Sequence, residues 1–246
     1  MKRLVTATSI LLIMMTTLSF AQQRGPKAFV PEPSFDMGYI PQRAKYGHTF
    51  WIYNIGTDSL NIQNIQVSCG CTKASNSVGM VAVNDSVPIS IVFDSGTRKL
   101  SQNKRITVRT NDPGMGNLSL QFTAYVFTPE EEEKTGPVSF VNNKRVNATT
   151  DDLGKTFEVE FRNNSAAAIK PTLVRYPDDL VSVTLPAEET PPGGTSTIKV
   201  VLASSVEEKN QHRSITLQFN DANNSRYTIP VRLAESISSM KANTGS

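Results

Sequence analysis

The chain has 246 residues, with 25 basic and 22 acidic side chains, two histidines, two cysteines and one tryptophan. Near-balanced charge gives no counterion-release footprint for nucleic acid and no basic patch for a membrane surface, so neither partner is expected. The length fits one or two domains of ordinary size.

The first 21 residues read as a removable signal peptide. Lys2 and Arg3 form a short positive region, an apolar stretch around Ile10 to Met15 follows, and Ser19-Phe20-Ala21 has the small-x-small form of a cleavage site. Thr6, Thr8 and Ser9 keep the apolar run below the roughly 18 to 20 residues that span a bilayer, so no membrane insertion is expected after cleavage. Without Lys2 and Arg3 the basic count falls to 23 against 22 acidic residues. An exported protein, periplasmic or extracellular, is the expectation.

After residue 21 the pattern is one of short alternating runs separated by turn residues, as in antiparallel sheets with one buried face. Candidate strands run from Ser34 to Ile40, Thr49 to Asn54, Leu60 to Cys69 and Val78 to Val83. The clearest alternation is Val87, Ile89, Ile91 and Phe93. Ile106, Val108 and Thr110 continue it, then Leu118, Leu120, Phe122, Ala124 and Val126, with Asn111-Asp112-Pro113-Gly114 as the turn between the two runs. Residues 22–127 therefore form a first domain of about seven strands.

Within it, Ser68-Cys69-Gly70-Cys71-Thr72 holds both cysteines. In an extended strand, residues two apart share a face with Cα atoms about 6.6 Å apart, near the upper edge of disulfide geometry, and a bend at Gly70 brings them closer. Three uses of Cys69 and Cys71 stay open. They can be small apolar fillers, oxidised to each other or not; a two-thiolate Cu(I) site; or a redox pair, though one without the Cys-x-x-Cys helix terminus of thioredoxin-like chemistry. Zinc lacks further ligands, because the only histidines, His48 and His212, fall in different domains. No other metal or cofactor is indicated.

Residues 128–137, Thr-Pro-Glu-Glu-Glu-Glu-Lys-Thr-Gly-Pro, read as a solvated acidic linker, since four successive carboxylates repel one another. Residues 138–235 then repeat the order. Phe157, Val159 and Phe161 stand where Phe50 and Ile52 stood. Ile198, Val200 and Leu202 match the Val87 run, and Ile215, Leu217 and Phe219 the Ile106 run. Tyr227, Ile229, Val231 and Leu233 close the domain. Asn111-Asp112 recurs as Asn220-Asp221, so a duplicated sandwich is expected. Tyr176-Pro177-Asp178-Asp179 falls where a second Cys-Gly-Cys would lie. Residues 236–246 read as a flexible tail.

Catalytic constellations lack their starting residues: there is no Gly-x-Ser-x-Gly elbow, Gly-rich phosphate loop or His-Glu-x-x-His. His48, entering an apolar strand, reads as structural.

Phe35-Asp36-Met37-Gly38-Tyr39-Ile40, Gly47-His48-Thr49-Phe50, Asn54-Ile55-Gly56, Leu60-Asn61-Ile62, the Cys-Gly-Cys-Thr element and Thr110-Asn111-Asp112-Pro113 together resemble DUF1573. The resemblance covers roughly Pro33 to Val126. It implies an exported bacterial protein with an immunoglobulin-like sandwich similar to Hydin-like and major-sperm-protein-like domains, and an interaction role by analogy. The expectation is an all-β, non-enzymatic chain of two tandem immunoglobulin-like sandwiches, bound to another envelope protein. Thiol-redox or Cu(I) handling at Cys69 and Cys71 is the alternative.

Overall fold

A computed structural model describes residues 25–75, 77–128, 130–131, 136–142 and 144–237. The expected signal peptide, and the tail beyond residue 237, lie outside the described residues. Among the described residues, no helix is long and apolar enough to cross a membrane.

The fold is all-β. In chain order the first half contains β1 (Ala28–Phe29), β2 (Ser34–Pro41), β3 (Lys45–Asn54), β4 (Leu60–Val67), β5 (Thr72–Ala74), β6 (Gly79–Val81), β7 (Ser86–Asp94), β8 (Leu100–Thr110) and β9 (Asn117–Phe127). The second half contains β10 (Val138–Phe140), β11 (Val146–Thr149), β12 (Thr156–Asn163), β13 (Pro171–Arg175), β14 (Val181–Thr184), β15 (Thr195–Leu202), β16 (Gln211–Phe219) and β17 (Arg226–Ala234). The long strands fall where alternation predicts them, because a period of two puts every second side chain on the buried face. Ile89, Ile91 and Phe93 of β7 are buried, as are all five alternating residues from Leu118 to Val126 in β9. β1, β5, β10, β11 and β14 have two to four residues each, too few to display a period, and were not expected.

Two four-stranded sheets, β1-β3-β7-β5 and β10-β12-β15-β14, lie one in each half. A third sheet runs through both halves in the order β13-β16-β17-β2-β9-β8-β4-β6, with β11 pairing β17. Two buried clusters result. One holds Phe50, Ile52, Phe93, Leu120 and Phe122; the other holds Val159, Phe161, Val200, Leu217 and Phe219.

Several hydrogen bonds of one half recur in the other at a constant displacement. The buried Asn54 amide donates to the carbonyls of Asp58 at 2.9 Å and Val81 at 3.0 Å, and its Oδ1 accepts from Gly56 N at 3.0 Å. Buried Asn163 donates to Ala167 O at 2.7 Å and Thr190 O at 2.8 Å and accepts from Ser165 N at 2.8 Å. Every partner is displaced by 163 − 54 = 109 residues. The same displacement carries Asn111 Oδ1 accepting from Asn61 N onto Asn220 Oδ1 accepting from Lys170 N. It also carries Asp94 N donating to Cys71 O onto Ala203 N donating to Leu180 O. The Asn54 and Asn163 side chains satisfy buried and part-buried loop carbonyls that would otherwise lack a partner, which fixes these polar residues as firmly as the core fixes the apolar ones. The displacement corrects the expected alignment of Phe50 with Phe157: Phe50 corresponds to Val159, and Phe157 to His48. It also puts Leu180, fully buried, at the position of Cys71.

The two halves are joined by more than the expected linker. β17 and β2 form a parallel bridge at Tyr227 and Tyr39, and the Tyr39 ring stacks on Phe127 at 4.6 Å. Thr228 Oγ1 donates to Met37 O at 2.6 Å, and the Arg145 guanidinium donates to Arg43 O and Gln42 O, each at 2.6 Å. Two glycines permit this approach. A Cβ on Gly47 would lie 2.1 Å from His212 O, and one on Gly38, whose φ is +63°, would lie 2.2 Å from Arg226 O. The linker also begins in structure. Thr128 is buried and exchanges bonds with Glu131, Thr128 N donating to Oε2 at 2.9 Å and Glu131 N to Oγ1 at 3.3 Å, which is a capping box. The expected flexible tail likewise starts anchored: Ser236 is buried, its N donating to Thr150 Oγ1 at 3.1 Å and its hydroxyl to Asp151 Oδ1 at 2.9 Å.

Candidate functional site

Cys69, Gly70 and Cys71 occupy the crossover between sheets. β4 pairs β8 in the long sheet as far as Val67, whereas β5 pairs β7 in the first half's own sheet. The intervening turn closes with Thr72 N donating to Cys69 O at 3.2 Å and is fixed by Asp94 N on Cys71 O at 2.8 Å. The cysteines are joined as a disulfide with Cα atoms 5.2 Å apart, closer than the 6.6 Å of an extended strand. In this form neither sulfur is a thiolate, and a Cu(I) clamp has no ligands. The Thr72 hydroxyl lies 3.7 Å from Cys69 Sγ and 4.0 Å from Cys71 Sγ. Gly70 is exposed, is absent from the positive-φ glycines, and an added Cβ would meet nothing within 4 Å. The turn therefore has no steric need of a glycine.

Burial divides the pair. Cys71 is 8% exposed and belongs to the core, while Cys69 packs against its edge. Cys71→Ser is expected to destabilise by about 1–2 kcal/mol more than Cys69→Ser, because both lose the same bond but only the first leaves a hydroxyl in the core. Urea melts of the two variants give the difference directly.

The larger cavities lie along the seam between the halves. One, of about 460 Å³, is lined by Met37, His48, Arg175, Arg213, Ser214 and Thr228, among others. His48 is 6% exposed, stacked on Phe35 at 3.9 Å and edge-on to Phe50 at 4.5 Å. Among the described residues, its Nε2 and the Ser214 hydroxyl are buried without a hydrogen-bond partner. Burial, reinforced by the Arg175 guanidinium, pushes the His48 pKa down to about 3, so the ring is neutral at ordinary pH. Arg175 is held by an ion pair with Glu32 and lies 5.9 Å from the Phe35 ring centroid. On the other side of the seam a groove of about 730 Å³ is lined by Arg43, Lys45, Asp94, Arg145, His212 and Arg232, among others.

The sequence places His48 and His212 apart, and the fold does not bring them together: His48 lines the first cavity and His212 the second. Among the described residues, no three metal-ligating side chains cluster. Sequence reasoning found the cysteine crossover but missed the seam, whose signal is the close-packed pair Gly38 and Gly47.

Residues 29–126 match the family model DUF1573, described as a protein of unknown function. No curated protein matches the chain. Among solved structures, a protein of unknown function from Porphyromonas gingivalis W83 is 11% identical, covering 87% of this chain and all of its own, with a TM-score of 0.38. The periplasmic chaperone SfaE is 10% identical over 83% of this chain and 99% of its own, TM-score 0.33. The ASH/PapD-like domain 7 of human CEP192 is 12% identical over 42% of this chain and 86% of its own, TM-score 0.32.

Proposed function

From a first half that matches DUF1573, we propose that this protein is an exported, non-catalytic interaction protein of the cell envelope. It is built from two tandem immunoglobulin-like modules, and it binds another envelope protein. The observation that carries the reading is the seam: the modules share one sheet and meet through backbone contacts at Gly38 and Gly47, which presents the clefts on either side as one fixed surface. Rigid placement of two modules lowers the ordering cost of binding, which is what an interaction surface requires. The hydrogen-bond sets repeated at 109-residue spacing support the tandem division. The Cys69–Cys71 disulfide then serves as a local clasp at the sheet crossover. A stoichiometric envelope partner, recovered with the full-length mature chain from native extracts, is the expected result. Turnover of hydrolase or oxidoreductase substrates that disappears when Cys69 and Cys71 are replaced would contradict it.

A further inference from the structure

The chain's charges nearly cancel overall, 25 basic against 22 acidic, yet one stretch of the seam is strongly basic. In the 730 Å³ groove, among the described residues, four permanent cations, Arg43, Lys45, Arg145 and Arg232, face a single carboxylate, Asp94. That carboxylate is already engaged, its Oδ1 accepting from Gly96 N at 2.9 Å. Arg43, Lys45 and Arg232 carry no ion pair among the described residues. Arg145 is fixed in place by its two bonds to the carbonyls of Gln42 and Arg43. The like charges sense one another: the pKa of half-buried His212 is lowered first by burial, then by Lys45 and Arg232, with Asp94 opposing. Arg43 and Lys45 come from one half and Arg145, His212 and Arg232 from the other, so the positive field exists only because the seam is closed.

The groove continues into a second hollow of about 540 Å³ that shares Arg43, Thr97 and Arg145 and adds Lys99 and Lys144. Among the described residues, one carboxylate side chain, Glu130, lines that end. Among the described residues, a glutamate of the chain itself thus lines one end of the basic channel, and Asp94 is the single carboxylate lining the other. Collecting cations without counter-charges disfavours the closed seam, and a multiply anionic ligand reverses that sign.

We propose that this groove is a docking site for an acidic peptide segment, a run of Asp or Glu residues in the partner protein, with Arg43, Lys45 and Arg232 as its open anchors. The inference rests on the interaction reading above and names the chemistry of the partner. Charge-assisted bonds from arginine to carboxylate are about twice as strong as neutral ones, and the exposure of the groove makes binding salt-dependent.

The test uses the full-length mature chain and a hexaglutamate peptide blocked at both ends, with hexalysine and inorganic tripolyphosphate as comparators. Hexaglutamate is expected to bind one to one at low salt and hexalysine not at all. The double charge reversal Lys45→Glu with Arg232→Glu should weaken the binding at least tenfold without lowering the melting temperature, since it relieves repulsion among the groove cations. Lys73→Glu, an exposed charge outside the groove, should leave it unchanged. Absence of hexaglutamate binding, or equal loss in both variants, overturns the site. Tighter binding of tripolyphosphate than of hexaglutamate overturns the peptide assignment. Capture of the envelope partner is followed in parallel: no peptide binding beside intact capture removes the groove alone, whereas failed capture removes the interaction reading itself.

Discussion

Acidification is expected to unfold the protein through His48. Its pKa in the fold is about 3 against an ordinary value of 6.5, because burial between Phe35 and Phe50 and the nearby Arg175 both disfavour the imidazolium. The unfolded chain therefore binds a proton that the folded chain refuses. Above pH 6.5 the group has no effect, and as pH falls from 6.5 toward 3 stability declines by about 1.4 kcal/mol per unit, roughly 5 kcal/mol in all. That is comparable with the whole stability of an ordinary domain. His48→Phe should remove this slope, since phenylalanine stacks in the same slot and the corresponding position of the second half is Phe157. His212 is shifted in the same direction but remains in both proteins, so the difference between variant and wild type isolates His48. Denaturant melts at pH 7, 6, 5 and 4 measure it. Parallel curves of stability against pH for the two proteins would contradict the assignment.

Gly47→Ala is expected to cost about 3 kcal/mol, the upper end of overpacking penalties, although a methyl group usually stabilises a strand over glycine. The reason is geometric. The new Cβ would lie 2.1 Å from the His212 carbonyl and 2.9 Å from its carbon, backbone atoms on β16 that cannot rotate away. Gly38→Ala adds a second cause, since its φ of +63° is in the left-handed region and its Cβ would lie 2.2 Å from Arg226 O. Neither residue fills a core cluster, so each half should keep its packing while the seam opens. Calorimetry of Gly38→Ala with Gly47→Ala is expected to resolve two transitions where the wild type gives one. A single transition at the wild-type temperature would show that the seam carries no stability.

The fold was legible in the sequence wherever a strand was long enough to alternate. Leu118 to Val126 announces its buried face five times, and the structure buries all five residues. The two-residue β1 and three-residue β5 and β10 have no such period; hydrogen bonds to neighbouring strands define them, and pairing is not written in composition. The repeat was legible but shifted by two residues at Phe50, because His48 stands where the second half has Phe157 and an apolar match at Phe157 attracts the alignment. The buried asparagines Asn54 and Asn163 give the better register, since their partners 58, 81 and 56 recur at 167, 190 and 165.

The candidate site divides in the same way. Cys69-Gly70-Cys71 stands out in the sequence because its residues are adjacent. The basic groove does not, because Arg43, Lys45, Arg145 and Arg232 come from opposite halves and are hidden in a nearly neutral total. Gly38 and Gly47 were visible only as members of a family pattern. Their reason is a neighbour 226 − 38 = 188 or 212 − 47 = 165 residues away in sequence, which local reading cannot supply.

A seam that is the binding surface requires the two halves to be held as one body. Nitroxide labels on cysteines introduced at the exposed positions Ser119 of β9 and Ser182 of β14, with the native cysteine pair left oxidised, report on it most directly. A single narrow distance distribution in the chain is the predicted result, broadening when Gly38 and Gly47 are both replaced by alanine. A broad distribution in the otherwise wild-type protein would mean that the halves move freely about the linker, and would contradict the account.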